Sequence, residues 1–497
     1  MKKLRTKGDW TPELLEEYYN EIDIIAKEDF GLDTYPAQLE IITSQQMLDA
    51  YSTHAMPVMY DHWRFGKSFV QNQEAYNKGQ MGLAYEIISN TNPSIAYLME
   101  ENSIMMMALV MAHACEGHSH FFKNNYMFRD WTQADSIVDY LLFAKRYINK
   151  CEEMYGAEVV EEFLDAAHAL ELYGIDRYKR NRNHKEHSDQ NHHYYNQQNY
   201  DDVIETTLPH NEKYSEEYRK EKFNELEDME PEENILYFLE KKAPTLQPWK
   251  RELLRIVRKI AQYFYPQRMT QLCNESSATF WHYHIMNRLY EKGLVDDGFM
   301  LEFYESHTAV TRQIDFDHPA YNHHGINVYA LGFAMFMDIK RICLEPTEED
   351  KEYFEWAGKR NWIEMIHYVM RNFRDESLIR QFLSPKIVRD FKMFSLLDEK
   401  DSDEMVIDAI HNKEGFIHVR ETLADMYDFS ERIPNIHVHR VDTSKRRLIL
   451  RHVSEDRKIL DKVETIKVLE HLQTIWGYGI VLDSVDFDGN VYSSIEF

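Results

Sequence analysis

The sequence contains few cysteines and no long apolar segment. Its 497 residues include four cysteines and no Cys-x-x-Cys motif, which argues against a disulfide framework and favours a reducing compartment. No run of about 18 apolar residues occurs, and the basic N-terminal residues lead into no apolar signal segment. We therefore expect a soluble, cytoplasmic protein without an integral membrane segment.

Positive charge is scarce, and two common motifs are missing. Lys and Arg total 57 against 85 Asp and Glu, a net charge of −28. A surface this acidic repels phosphate backbones, so we expect no nucleic-acid partner. Gly66-Lys67-Ser68 resembles the end of a P-loop, but Asp61 stands where that motif requires its first glycine. The zinc-protease motif His-Glu-x-x-His is also absent.

Apolar residues make up 43% of the chain and aromatic residues 13%, enough for a large packed core. Helical spacing dominates up to about residue 397, and Asn92 to Met111 predicts one continuous apolar helix. Within this part, residues 177–233 form a polar insertion that we expect to be extended or partly mobile. The sequence thus predicts a large helical N-terminal domain over residues 1–397.

The residue pattern of the sequence changes after residue 398. Short β-branched segments at 435–441, 447–453 and 478–485 predict strands, and a helical pattern lies between the last two. Asp488-Gly489 is typical of a hairpin turn before a final strand. We predict a mainly α protein whose helical domain is followed by a small α+β domain over residues 398–497.

A cluster of titratable side chains lies at the end of the apolar helix, near residue 111. His113, Glu116, His118 and His120 fall within eight positions. On an ideal α-helix His113 and His118 are about 140° apart and do not share a face, whereas His113, Glu116 and His120 do. Gly117 could bend or end the helix and bring His118 into line with His113. The cluster indicates either a metal site or hydrogen-bonded core histidines.

A second polar segment, Asn274 to His284, lies within another apolar helix. Glu275 and His282 are seven residues apart, so they line one helical face with Thr279 between them. A buried Glu and His need a partner, which could be each other, a metal or a ligand. Lesser candidates are His168, which we interpret as a core histidine, and a histidine-rich loop with His318, His323 and His324.

Strings along nearly the whole sequence resemble the SpoVR family, the stage V sporulation protein R group. They include MPVMYDHWRFGKSF, GLAYEIISNTNPSIAYLMEEN, ALVMAHACEGHSHFFKNNYMF, ATFWHYHIMNRLYEKGLVDDGFMLEF, GINVYALGFAMFMDIKRIC and NIHVHRVDTSKRRLILRHV. His113 and His118 match the family pattern His-Ala-x-x-Gly-His, in which Ser119 here replaces an Asn. Glu275 matches the family Asn-Glu-Gly-Trp-Ala, in which Ser276 and Ser277 replace Gly-Trp.

The resemblance implies a biological setting rather than a reaction. It implies involvement in spore cortex formation in spore-formers, or in a stress response elsewhere. It also implies a PrkA-type serine kinase and a YhbH-like protein as partners. The family pattern selects His118, rather than His120, as the partner of His113.

Two hypotheses follow. In the first, the protein is a metal-dependent hydrolase: His113, His118 and Glu275 bind zinc or another divalent metal, and His282 or Glu116 acts as acid or base. An amide bond in a peptidoglycan precursor or in a regulatory protein would be its substrate. In the second, the protein is a non-enzymatic scaffold or adaptor acting with the kinase, and the same residues form hydrogen-bond networks in the core.

Overall fold

The computed structural model describes residues 3–78, 84–178, 231–314, 318, 325–398, 405–454 and 457–497. Almost all of the predicted insertion at 177–233 lies outside these residues. The α-helices, in chain order, are α1 (Pro12–Ile24), α2 (Ser44–Ser52), α3 (Trp63–Asn77), α4 (Ile104–Val110), α5 (Ser119–Asn124), α6 (Tyr126–Trp131), α7 (Ile137–Tyr155), α8 (Ala157–Ala169), α9 (Ile235–Lys242), α10 (Pro248–Met269), α11 (Gln271–Glu291), α12 (Asp297–Thr311), α13 (Val328–Leu344), α14 (Glu348–Tyr353), α15 (Trp362–Asn372), α16 (Asp375–Phe382), α17 (Pro385–Asp390), α18 (Phe416–Tyr427) and α19 (Lys462–Trp476).

Other helical types and short strands complete the architecture. Two π-helices and two 3-10 helices are Ile25–Asp29, Met111–His118, Glu171–Gly174 and Phe429–Arg432. The strands are β1 (Ala37–Ile42), β2 (Glu86–Ile88), β3 (Ser94–Met99), β4 (Phe394–Asp398), β5 (Met405–Ile410), β6 (Ile436–Asp442), β7 (Arg447–Val453), β8 (Ile480–Val485) and β9 (Val491–Glu496). Among the residues described, none of the helices combines the length and apolarity needed to cross a bilayer.

The chain forms two compact units that alternate along the sequence. The first comprises Met1–Val58, Trp63–Val138 and Pro266–Ser430, and the second comprises Met59–His62, Asp139–Tyr265 and Glu431–Phe497. The mainly helical fold with a small α+β element at the C-terminus is confirmed. The helices between residues 139 and 265 group with the C-terminal sheet, so a division of the chain after residue 397 stays a prediction.

A three-stranded sheet in the first unit corrects the prediction of one helix from Asn92 to Met111. The strand order is β1-β3-β2, with β3 parallel to β1 and antiparallel to β2. In β3 (SIAYLM) buried and partly buried residues alternate, as expected when one face of a strand packs on a core. The helical segment begins only at Ile104, where the Ser103 hydroxyl accepts a hydrogen bond from the Met106 amide at 3.1 Å.

Helix α11 is the centre of the first unit, and small residues let its neighbours approach closely. A Cβ added at Gly117 would lie 2.6 Å from the Cα of Ala278, and one added at Gly332 would lie 2.7 Å from the Cβ of Ser276. The π-helix Met111–His118 and α13 therefore pack backbone-close against α11. Trp281, on the same helix, is fully buried in the core.

The second unit contains the predicted C-terminal α+β element. Its sheet has the order β6-β7-β8-β9, with β6–β7 and β8–β9 antiparallel and β7–β8 parallel. Helix α19 provides the crossover that a parallel pair requires. Gly489 has a positive φ of 82° in the turn before β9, as predicted for Asp488-Gly489. The predicted strands match β6, β7 and β8 within two residues.

Candidate metal centre

His113 and His118 share one face because the helix that carries them is a π-helix. It spans Met111–His118 and runs directly from α4 into α5. Hydrogen bonds in a π-helix run between residues five apart, so such residues lie about one turn above each other. The two imidazole centroids are 4.5 Å apart in a T-shaped arrangement. The separation of about 140° expected for an α-helix was wrong, and Gly117 does not end the helix.

Glu275 reaches the same point from α11. Its Oε2 atom lies 3.6 Å from Nε2 of His113 and 3.7 Å from Nε2 of His118. The donor atoms of the three residues all lie within 4.8 Å of one another. The two His–Glu separations are longer than an ordinary hydrogen bond, and three possible electron-pair donors face a common point.

This donor set fits a divalent metal. Ligands 2.0–2.2 Å from a tetrahedral zinc ion lie about 3.4 Å apart, and two imidazoles with one carboxylate are a frequent catalytic zinc set. The two His–Glu separations of 3.6 and 3.7 Å exceed that value by a few tenths of an ångström, and all three donor atoms lie within 4.8 Å of one another. Small side-chain movements would therefore allow His113, His118 and Glu275 to hold the ion.

Hydrogen bonds at the Nδ1 atoms of His113 and His118 orient both imidazoles. Nδ1 of His118 lies 2.9 Å from Oδ1 of Asn274, and Nδ1 of His113 lies 2.9 Å from Nδ1 of His282. Because an amide oxygen only accepts, Nδ1 of His118 must donate, which leaves its Nε2 as the electron-pair donor facing Glu275. Nε2 of His282 in turn lies 3.0 Å from Nδ1 of His307. Such outer partners fix the tautomer of metal-binding histidines.

A carboxylate from α16 holds the start of α11, and with it Asn274 and Glu275. Asp375 accepts hydrogen bonds from the backbone amides of Leu272 at 2.9 Å and Cys273 at 2.8 Å. These amides lie in the first turn, where a helix leaves its N–H groups unpaired. Burial raises the pKa of Asp375 to about 7, against the lowering effect of these amides.

Glu86 and Tyr329 belong to the site, and sequence reasoning missed both. Oε1 of Glu86, in β2, lies 3.8 Å from Nε2 of His113, and burial raises the pKa of Glu86 to about 7. The Tyr329 hydroxyl lies near Glu275 and lowers the pKa of that carboxylate, and the side chain of Asn327 caps the helix turn that carries Tyr329. The available sequence signal for Glu86 was an acidic residue directly before two isoleucines, in the string EII.

The site is an electrostatically coupled cluster. Burial raises the pKa of Glu275, but the imidazoles of His118 and His113 and the Tyr329 hydroxyl outweigh burial and hold it below its usual value. Burial lowers the pKa of His113, but Glu275 and Glu86 outweigh burial and raise it. Burial lowers the pKa of His118, so this imidazole is neutral near pH 7 and able to bind a metal.

The structure does not bring Glu116 and His120 to this cluster. Glu116 is fully buried, and neither of its carboxylate oxygens has a hydrogen-bond partner among the described residues. Burial and Asp23 raise its pKa to about 8. His120 accepts from the Asp33 amide through Nδ1 at 2.9 Å and pairs with His367 through Nε2 at 3.0 Å. The face shared by His113, Glu116 and His120 in an α-helix therefore does not exist here.

The lesser candidates lie elsewhere. In the second unit, Nε2 of His168 is 2.8 Å from the Tyr60 hydroxyl, and its Nδ1 is 3.3 Å from Glu171. This pattern agrees with the interpretation of a hydrogen-bonded core histidine. Of the histidine-rich loop, His323 and His324 lie outside the described residues.

A cavity of about 690 Å³ opens beside the cluster. Its lining includes the proposed ligands, with Glu86, His282, His307 and Tyr329. The remaining lining is largely apolar. A small molecule entering the cavity would therefore reach the point between the three donor atoms.

A comparison against known protein families finds two family models that match this chain. The model described as SpoVR like protein matches residues 9–432, and that described as SpoVR-like C-terminal domain matches residues 434–487. The chain belongs to the SpoVR family. It is 51% identical over 493 residues to the Escherichia coli (strain K12) protein described as uncharacterized protein YcgB, covering 98% of this chain and 95% of that protein. No solved structure shows a significant match.

Proposed function

We propose that this protein is a metal-dependent hydrolase of the cytoplasm whose metal, zinc or a similar divalent ion, binds to His113, His118 and Glu275. The observation that carries the proposal is the convergence of three donor atoms, within 4.8 Å of one another, at the wall of a cavity. Catalytic zinc sites typically use three protein ligands and leave a position open to water or substrate.

When bound, the metal would supply Lewis acidity and lower the pKa of a bound water to about 7. The chain's own groups have separate roles. Glu86, whose carboxylate lies 3.8 Å from Nε2 of His113, is placed to accept or return a proton at the cavity wall. His282 holds His113 through the bond between their Nδ1 atoms. The Tyr329 hydroxyl helps to lower the pKa of Glu275 and so favours the charged form of that carboxylate.

Metal content measured on purified protein tests the proposal. We expect about one equivalent of zinc or another divalent metal after dialysis, and less than a tenth of that in His113→Ala, His118→Ala and Glu275→Gln variants. Ligand binding stabilises a fold by about 2.7 kcal/mol at a hundredfold excess over Kd, so zinc should raise the melting temperature of the wild type and leave these variants unchanged.

His284→Gln is the matched control. His284 lies on α11 like Glu275 and is buried, but it bonds to the Phe280 carbonyl and to Lys340 instead of lining the cavity. This variant should lose some stability and keep its metal. Loss of metal from His284→Gln to the same extent as from Glu275→Gln, or a metal-free wild type that zinc does not stabilise, would refute the metal centre.

A second function is favoured by the internal pairing of the site. His118 with Asn274, and His282 with His307, already form hydrogen bonds without a metal, as in a buried polar network that only stabilises a core. In that case the protein would be an adaptor for a PrkA-type serine kinase and a YhbH-like protein, in sporulation or a stress response. The adaptor function predicts that Glu275→Gln lowers stability and kinase binding together, whereas the hydrolase predicts that kinase binding is retained.

A further inference from the structure

The cavity beside the metal centre has an unusual charge pattern. Among the described residues that line it, the acidic side chains are Glu86 and Glu275, five are histidines, and none is a lysine or arginine. The segments 79–83 and 315–324, which adjoin lining residues in the sequence, also contain no lysine or arginine. Two carboxylates would offset the charge of a divalent ion, so the loaded site would offer a polyanion no excess positive charge.

Apolar side chains form much of the cavity wall, together with polar ones such as Gln267, Gln271 and Ser306. Ile87 and Ile88 follow Glu86 along β2, and Met106 and Leu109 come from α4. The ring of Phe122 stacks on the imidazole of His118 with centroids 6.0 Å apart. An apolar group of a ligand could therefore lie directly beside the proposed reaction point.

A phosphorylated ligand would be poorly accommodated by this cavity. Phosphate sites in proteins supply arginine, lysine or several backbone amides at a helix N-terminus. A dianion taken out of water without such partners loses hydration that neutral polar side chains replace only in part. The net charge of −28 adds a long-range repulsion. Burial of an aliphatic or aromatic group, by contrast, is favourable by roughly 25 cal/mol per Å².

We propose that the cavity accepts an uncharged carbonyl compound with an apolar side group, such as the amide of an aliphatic or aromatic acid, and excludes phosphorylated and nucleotide-linked compounds. The inference deepens the proposed hydrolase function by naming its substrate class. It favours an amide in an apolar peptide segment over a nucleotide-linked cell-wall precursor.

Ligand titration with three probes tests the class: octanamide, acetamide and octyl phosphate, each added to EDTA-treated protein and followed by calorimetry. We expect octanamide to bind at least tenfold more tightly than either of the others. The same preference for octanamide over acetamide should hold with saturating zinc. Equal or tighter binding of octyl phosphate, or equal binding of the two amides, would overturn the inference.

A charged residue introduced at the edge of the cavity tests the role of charge independently. Val310 lines the cavity and is 44% exposed, so substitutions there are compatible with folding. Val310→Lys should bind octyl phosphate at least threefold more tightly than Val310→Gln, and an unchanged ratio would contradict the role of charge. Because the EDTA-treated assay needs no metal, an octanamide preference in a protein that binds no zinc would refute the metal centre and leave the cavity's ligand class standing.

Discussion

Replacing Gly117 by alanine should disrupt the metal centre without touching a ligand. The new Cβ would lie 2.6 Å from the Cα of Ala278 and 2.7 Å from its Cβ, whereas carbon atoms pack at about 3.5–4.0 Å. The π-helix and α11 would have to separate locally by about 1 Å. That movement would shift His118, the next residue, away from Glu275, from which it is now 3.7 Å distant.

The expected cost can be estimated. Overpacking of a close contact destabilises by about 1–3 kcal/mol, and the gain of about 1 kcal/mol that alanine brings over glycine in a helix offsets part of it. Urea denaturation should therefore show Gly117→Ala to be less stable by up to about 2 kcal/mol. Zinc affinity, measured by competition with a chelator, should fall at least tenfold, because a shift of about 1 Å exceeds the tolerance of a metal site.

Two further variants isolate the cause. Gly66→Ala, in α3, is the control, since its Cβ would meet nothing within 4 Å, and it should be neutral or stabilising. Ala278→Gly added to Gly117→Ala should rescue only in part, because the Cα at 2.6 Å remains. If Gly117→Ala keeps wild-type stability and zinc affinity, the close approach does not determine the geometry of the site.

Two predictions concern stability and pH. Burial raises the pKa of Asp375 to about 7 from a usual 3.8, so its contribution to the free energy of unfolding is fully present below pH 3.8 and is lost as pH rises through about 7. In a series of urea denaturations at different pH, Asp375→Asn should flatten this decline in stability. An unchanged slope would contradict the prediction. Glu240 is buried, yet Arg258, Lys241 and Arg255 outweigh burial and lower its pKa to about 2 from 4.5. Its contribution to the free energy of unfolding is therefore present above pH 4.5 and is lost as pH falls through about 2. Glu240→Gln should cost about 3 kcal/mol at pH 7 in the same assay, and a cost below about 0.5 kcal/mol would mean that the arginines find other partners.

The sequence predicted those parts of the fold whose local pattern and tertiary environment agree. β6, β7 and β8 are short β-branched segments between turn residues, and the structure has them where they were expected. β3 was assigned to a helix because SIAYLM leads into a continuous apolar run, and a short apolar segment does not by itself distinguish strand from helix. Its pairing with β1 and β2 decides the conformation.

The candidate site, like the fold, could be predicted from the sequence only in part. The joint position of Glu275 and His282 on α11 followed from a spacing of seven residues. The alignment of His113 with His118 could not be derived, because a π-helix has no distinct periodic signature and here depends on packing against α11. Glu86 comes from a strand 189 residues before Glu275 in the sequence, and only the assembled tertiary structure brings the two carboxylates into one cavity.

The π-helix gives this segment one more position per turn than an α-helix would have. Across six residues it presents two imidazoles to the cavity, Gly117 to the backbone of α11, and Glu116 to a buried position near Asp23. An α-helix of the same sequence would have to give up one of these contacts. The length of this turn, as well as the identity of its side chains, is therefore under constraint. A one-residue deletion between His113 and His118 could leave both histidines on one face, yet it would displace Gly117 from its close contact with Ala278.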